Sequence, residues 1–189
     1  KWIDNGWCMP PNVTDAETVM KEAFYNGELA AFIASTGAMK GIYLGCEQTG
    51  VNLGVSYMPG ENGYATGSGG SGLCAVSVGK TEEQIQASWE FMKFMMTDDA
   101  VTYFSINSGY LPTTYSSLKT QEMADYWAQY PGFKVAVDQR EYASEPYWSI
   151  YRNDWNAVVK TAMSDVTQNG AEVSKAIEYM KSQVDVVFK

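Results

Sequence analysis

Trp155, Val158, Val159, Ala162, Met163 and Val166 recur at helical spacing, Asn169-Gly170 interrupts the run, and Val173, Ala176, Ile177, Met180, Val184 and Val187 resume it. An apolar stripe of this period leaves water only against another apolar face, so the chain end is predicted to be two amphipathic helices joined by a turn. The same logic applies upstream. Thr81-Glu82-Glu83-Gln84 has the capping-box pattern, in which the threonine and glutamine side chains each satisfy the other's backbone N–H. Ile85, Trp89, Met92 and Met96 then line one face of the helix that follows.

Thr14-Asp15-Ala16-Glu17 has the same pattern and opens a short helix through Val19, Met20, Ala23 and Phe24, stopped by Asn26-Gly27. Thr97-Asp98-Asp99 caps a helix carrying Ala100, Val101 and Phe104, which Gly109 and Pro112 end. Two more helices are expected between 119 and 143, interrupted at Pro131-Gly132, and another after Gly37. Apolar runs at 28–35, 51–58 and 73–78 are too short for helices and are predicted as strands, the first of them buried. The fold class is therefore α/β and helix-rich. Trp89 and Trp155, on helical stripes, are expected in the core.

Composition removes several function classes. The 189 residues hold 46% hydrophobic and 14% aromatic side chains, enough for one large domain or two small ones and too many for a disordered chain. Thirteen basic against 22 acidic residues give a net charge of -9, which repels a phosphate backbone, so no nucleic acid partner is expected. Histidine is absent, which excludes Ser-His-Asp and Cys-His nucleophiles and histidine-ligated metals. Cys8, Cys46 and Cys74 lack metal-ligand spacing and are expected as scattered buried thiols. Neither a cofactor nor a metal is implied. No run reaches the roughly 20 apolar residues of a membrane span, and the chain opens on Lys1, which suggests processing or a missing N-terminal part.

Five segments, taken in order, resemble a known family. Phe24-Tyr25-Asn26-Gly27-Glu28-Leu29-Ala30-Ala31 is similar to its F-x-x-G-x-x-A-M segment, with Ala31 in place of methionine; Met58-Pro59-Gly60 is similar to its L-P-G, and Gly69-Gly70 to its glycine pair. Ala87-Ser88-Trp89-Glu90-Phe91-Met92-Lys93-Phe94 resembles A-W-x-F-x-x-F, and Ser108-Gly109-Tyr110-Leu111-Pro112 resembles T-G-Y-L-P. The family is that of the extracellular solute-binding proteins, the receptors of ABC importers for carbohydrates. Its members are about twice as long and fold as two lobes around a cleft, the class II periplasmic-binding-protein arrangement. This chain resembles the C-terminal half. The resemblance implies that 1–69 and 109–189 belong to the C-terminal lobe and 70–108 to the N-terminal one. The 73–78 strand would then have unpaired edges, and the Ile85-Trp89-Met92-Met96 stripe would lack its cover, so the chain taken alone is expected to repack or self-associate.

Within the family the sequence is similar to the glycerol-3-phosphate-binding branch, through Ala34-Ser35-Thr36-Gly37 and through Gly109-Tyr110-Leu111-Pro112 followed by Tyr130-Pro131-Gly132. The resemblance implies ligand-binding roles for Ser35 or Thr36 through a hydroxyl, for Gly69 and Gly70 through backbone N–H, and for Tyr110 through its phenol. Asp138 falls where the branch places a phosphate-pairing arginine. A carboxylate there repels phosphate and accepts sugar hydroxyls, which favours a small carbohydrate ligand, with Trp148 stacking on its apolar face. A glycerol-3-phosphate or glycerophosphodiester ligand is the alternative. The plainer readings are that Asp138 is a solvated helix residue and Trp148 packs between helices.

The implied protein is not an enzyme. It resides outside the cytoplasm, in the periplasm or lipid-anchored, and has ABC permease subunits as partners. The competing enzyme reading is a carboxylate-pair glycosidase using Asp138 with Glu141 or Glu145. A third possibility is an interaction domain that exposes an apolar face. The 67–72 glycine run lacks the Lys-Ser/Thr of a phosphate-cradling loop; its plain reading is a flexible connection, and the resemblance implies a cleft-edge hinge.

Overall fold

The computed structural model describes residues 2–8, 15–61, 63–144 and 149–188. In chain order its elements are α1 (Ala16–Tyr25), α2 (Met39–Thr49), β1 (Pro59–Gly60), β2 (Gly63–Tyr64), β3 (Thr66–Gly67), α3 (Glu82–Met95), α4 (Asp98–Ser108), α5 (Gln121–Gln129), α6 (Pro131–Asp138), β4 (Ala143–Ser144), α7 (Arg152–Thr167) and α8 (Val173–Val187). Two compact units result, one of Tyr25–Pro146 and one of Lys1–Phe24 with Tyr147–Lys189. Thr14, and with it the first capping box, lies outside the described residues; α1 nonetheless ends at the predicted Asn26-Gly27.

In the second of these units α7 and α8 pair as expected. Val158, Ala162 and Ala176 are buried between them, and Gly170 turns the chain with a left-handed φ of 68° that a side chain would resist. The Ala171 N–H donates to the Asp165 carbonyl at 2.9 Å, closing the turn. Trp155 is half-buried, its ring 5.4 Å from that of Phe188.

The larger unit is built on Met39, Met123, Tyr126, Phe133 and Ala136, flanked by Tyr43, Val55, Ile106, Leu111, Trp127 and Tyr130. α6 starts on Pro131, whose fixed φ and missing N–H suit a first helical position. Asp98 in the first turn of α4 accepts hydroxyl hydrogen bonds from Ser116 at 2.5 Å and Thr114 at 3.3 Å. The fully buried Ser117 hydroxyl donates to the Thr114 carbonyl at 2.8 Å, so the segment after Pro112 is tied onto α4.

The helices follow local rules. Thr81 caps α3 with the full reciprocal pair: the Gln84 N–H donates to its Oγ1 at 3.2 Å, and Gln84 Oε1 accepts from the Thr81 N–H at 3.1 Å. Replacing Thr81 by alanine is expected to destabilise α3 by about 1 kcal/mol. Amide exchange in its first turns should then speed up about fivefold; an unchanged rate would show that the cap contributes nothing.

The predicted strands do not form as such. Residues 28–35 make no ladder and are mostly exposed. Residues 51–58 keep strand-like alternation, with Val51, Leu53, Val55 and Tyr57 turned inward and Asn52, Gly54 and Ser56 outward, but join no ladder. Residues 73–78 are exposed throughout, Val78 by 87%. A strand requires neighbouring N–H and C=O groups, and among the described residues these runs meet almost none: the Ala65 N–H donates to the Met58 carbonyl at 3.2 Å, at the very end of the second run. The ladders that do form are two residues long: β1 with β2, antiparallel, and β3 with β4, parallel, joining Thr66 to Ala143 and Gly67 to Ser144.

Two burial expectations are also corrected. Trp89 is 52% exposed, and no residue of α3 is buried, because no apolar face lies opposite its stripe among the described residues. Of the three thiols only Cys46 is buried, where burial pushes its pKa up; Cys8 and Cys74 are exposed.

Candidate functional site

The Ser35-Thr36-Gly37 segment forms the start of a single 3-10 turn over Thr36–Ala38 that leads into α2. Ser35 is its N-cap, accepting from the Gly37 N–H at 3.3 Å, so its own hydroxyl proton points onward to any acceptor. Against this turn lies Tyr110, just past the C-cap of α4. A Cβ placed on Gly37 would stand 3.1 Å from Tyr110 Cε2 and 3.6 Å from its hydroxyl. The neighbouring Gly109 has a left-handed φ of 83° and sits as closely: its missing Cβ would lie 3.3 Å from the Lys40 nitrogen and 3.4 Å from the Thr36 carbonyl. Two glycines therefore let the end of α4 and the start of α2 approach. Ser35, Thr36 and the half-exposed Tyr110 phenol, picked separately from the sequence, share one surface.

The other candidates fall elsewhere. Gly69 and Gly70 are exposed, and an added Cβ at either would meet nothing within 4 Å. Asp138 closes α6 on the surface, and the Lys134 ammonium lies 2.7 Å from each of its carboxylate oxygens. Trp148 and Glu145 lie outside the described residues. Of the suggested carboxylates, Asp138 is engaged by Lys134 and Glu141 is exposed.

One feature near Asp138 was not legible in the sequence. Tyr57, Tyr64 and Tyr142 form a mutually packed cluster with ring centroids 4.9, 5.7 and 5.3 Å apart, Tyr64 and Tyr142 being exposed. The phenol of Tyr57 is pushed up in pKa by partial burial and then by the negative charge of Asp138. The Pro-Gly turn between Tyr57 and Tyr64 hinted at two of the rings. Tyr142 arrives through the β3–β4 pairing, which only the folded chain makes.

An open cleft of about 390 Å³ is lined by Thr113, Thr114, Tyr115, Leu118, Arg140 and Glu141, of which only Glu141 was picked from sequence. Arg140 and Glu141 there offset each other's charge, and the Arg140 guanidinium donates to the Pro112 carbonyl at 3.4 Å. Among the described residues no group of three or more acidic or thiol side chains could hold a metal ion, and no helix is long and apolar enough to cross a membrane.

The helix-rich architecture thus brings Ser35, Thr36 and Tyr110 onto one exposed polar surface. The chain belongs to the bacterial extracellular solute-binding protein family, whose sequence profile matches residues 1–135. It is 30% identical over 124 residues to the sn-glycerol-3-phosphate-binding periplasmic protein UgpB of Pectobacterium atrosepticum, covering 62% of this chain and 27% of that protein. UgpB of Yersinia pestis is 28% identical over 120 residues, covering 61% and 27%. A crystal structure of UgpB from Mycobacterium tuberculosis in complex with glycerophosphocholine superposes with a TM-score of 0.78 at 24% identity, covering 94% of this chain and 44% of that one. The helix-rich α/β class and the glycerol-3-phosphate-binding branch named from the motifs agree with these matches. These relatives are binding proteins rather than enzymes, and the chain spans about a quarter of the length of the curated ones.

Proposed function

We propose that the protein is the solute-capturing component of an ABC importer, which takes up a sugar or oligosaccharide outside the cytoplasmic membrane and hands it unchanged to the permease. The observation that carries this reading is the juxtaposition of Ser35 and Thr36 with Tyr110 across Gly37. Hydroxyl and phenol groups on one surface suit an oxygen-rich solute and supply neither a nucleophile with its base nor an acid–base pair. The tyrosine cluster beside Asp138 adds aromatic faces for sugar C–H surfaces and a carboxylate acceptor for hydroxyls. Gly69 and Gly70 are proposed as backbone donors, and Trp148 as a further stacking ring. In a protein of the relatives' length, 70–108 would dock its exposed apolar side chains, Leu73, Val76, Trp89, Phe91 and Phe94, onto the additional lobe. In the chain alone that face favours self-association.

A glycerophosphate or glycerophosphodiester ligand is the second reading. It is supported by the names of the relatives and by the Lys134–Asp138 ion pair, which neutralises much of the charge that would repel a phosphate. Calorimetric titration with an oligosaccharide panel, glycerol-3-phosphate and glycerophosphocholine separates the two. Heat with a sugar and none with the phosphates supports the first reading, and the reverse result replaces it with the second. Turnover of any glycan would move the protein to the enzyme class. Because such receptors bind by closing two lobes on the ligand, affinity of this chain alone is expected to be weak.

Gly37→Ala provides a local check. Its backbone tolerates alanine, but the methyl would stand 3.1 Å from the Tyr110 ring and push the phenol off the Thr36 turn. Affinity for whichever solute binds is expected to fall about threefold to tenfold with little change in stability. Undiminished binding would remove Tyr110 from the site.

A further inference from the structure

We propose that Ser105 and Tyr126 together hold one internal water molecule beneath the Tyr110-Leu111-Pro112 segment, and that this water links α4 to α5. Both residues are more than nine-tenths buried, at 3% and 6% exposure, and both hydroxyls lack a hydrogen-bond partner among the described residues. Buried hydroxyls without partners are rare, because each forfeits its hydration.

The two residues line the same small cavity. Tyr110, Pro112, Met123 and Phe133 complete its wall, and its volume of about 10 Å³ is the room one water requires. The direction of the Ser105 side chain is informative. Several helical hydroxyls elsewhere in the chain bond back to the preceding turn: Ser88 to the Gln84 carbonyl at 2.9 Å, Ser108 to Phe104 at 2.6 Å and Thr161 to Ala157 at 3.0 Å. Ser105 declines this local option and turns its hydroxyl to the cavity wall. A water there accepts from one hydroxyl and donates to the other, satisfying groups on two helices that do not reach each other directly. Burial also raises the Tyr126 pKa, so the phenol keeps its proton and remains a donor.

Ser105→Ala, Tyr126→Phe and the double variant of the full chain test this by the sign of their effect. With water in place, each single change leaves a buried partner short of a bond, and the folding equilibrium constant should fall about fivefold to thirtyfold. The double variant should then fall by clearly less than the product of the two. A dry cavity predicts the opposite, since removing an unsatisfied hydroxyl stabilises the fold; stabilisation by either single change, or strictly multiplicative effects, overturns the proposal. A high-resolution crystal structure should place an ordered water within hydrogen-bond distance of both hydroxyls, and empty density there overturns it as well.

Discussion

Replacing Phe133 by alanine is expected to cost about 3–5 kcal/mol of folding stability. The ring is 3% exposed and central to the larger unit: it stacks on Tyr43 at 5.5 Å with planes 16° apart, lies 4.8 Å from Tyr126 and meets Tyr130 near edge-on at 6.3 Å. Truncation removes those contacts and leaves a void that three tyrosines fill poorly, since their hydroxyls require partners as well as space. The urea midpoint, followed by far-UV circular dichroism, should drop with little change in slope. Phe133→Leu, which keeps most of the volume, should lose a smaller amount. The site should feel the same change, because Phe133 Cε1 lies 3.3 Å from where a Gly109 Cβ would stand and so backs the turn presenting Tyr110. A loss below about 1 kcal/mol for the alanine variant would mean that the helices around Phe133 do not pack as described.

Gly132→Ala is expected to destabilise by about 1–3 kcal/mol even though alanine is the better helix former. A Cβ at this position would stand 2.5 Å from both the Tyr43 hydroxyl and Val55 Cγ2, and 3.0 Å from Val55 Cβ. The Gly132 N–H also donates to the Tyr43 hydroxyl at 2.8 Å, so moving Tyr43 aside to admit the methyl breaks a hydrogen bond worth about 1 kcal/mol. Helix propensity works in the other direction by about 1 kcal/mol. The clash exceeds that gain because the methyl meets two groups at once, and Val55 Cβ at 3.0 Å is not the end of a flexible side chain. Adding Val55→Ala should recover part of the loss, a coupling that a purely local backbone effect would not produce. Net stabilisation by Gly132→Ala would show that α6 does not approach residues 43 and 55 this closely.

These two variants mark the boundary between what was legible in the sequence and what was not. The spacing of Val158, Ala162 and Ala176, the Thr81-Gln84 box and the stop at Gly109 were readable because they act within one or two helical turns, where period and capping chemistry decide the outcome. Family motifs likewise singled out Ser35, Thr36 and Tyr110. The strands at 28–35, 51–58 and 73–78 were misread because an apolar run states only that a segment seeks cover, not whether a partner strand exists. Trp89 is the same error in a helix: the stripe is real, but the face to cover it is absent among the described residues.

Sequence by itself determined the helices, their caps, the acidic surface, the loss of every histidine-based chemistry and, through ordered motifs, the family. Tertiary structure alone decided that Gly37 brings Tyr110 onto the Ser35 turn, that Tyr57, Tyr64 and Tyr142 meet, and that Ser105 and Tyr126 open on one cavity. The helices arise from interactions three or four residues apart, which composition and spacing encode directly. Most of those meetings join residues far apart in the chain, and their contacts form only once packing has fixed which faces adjoin.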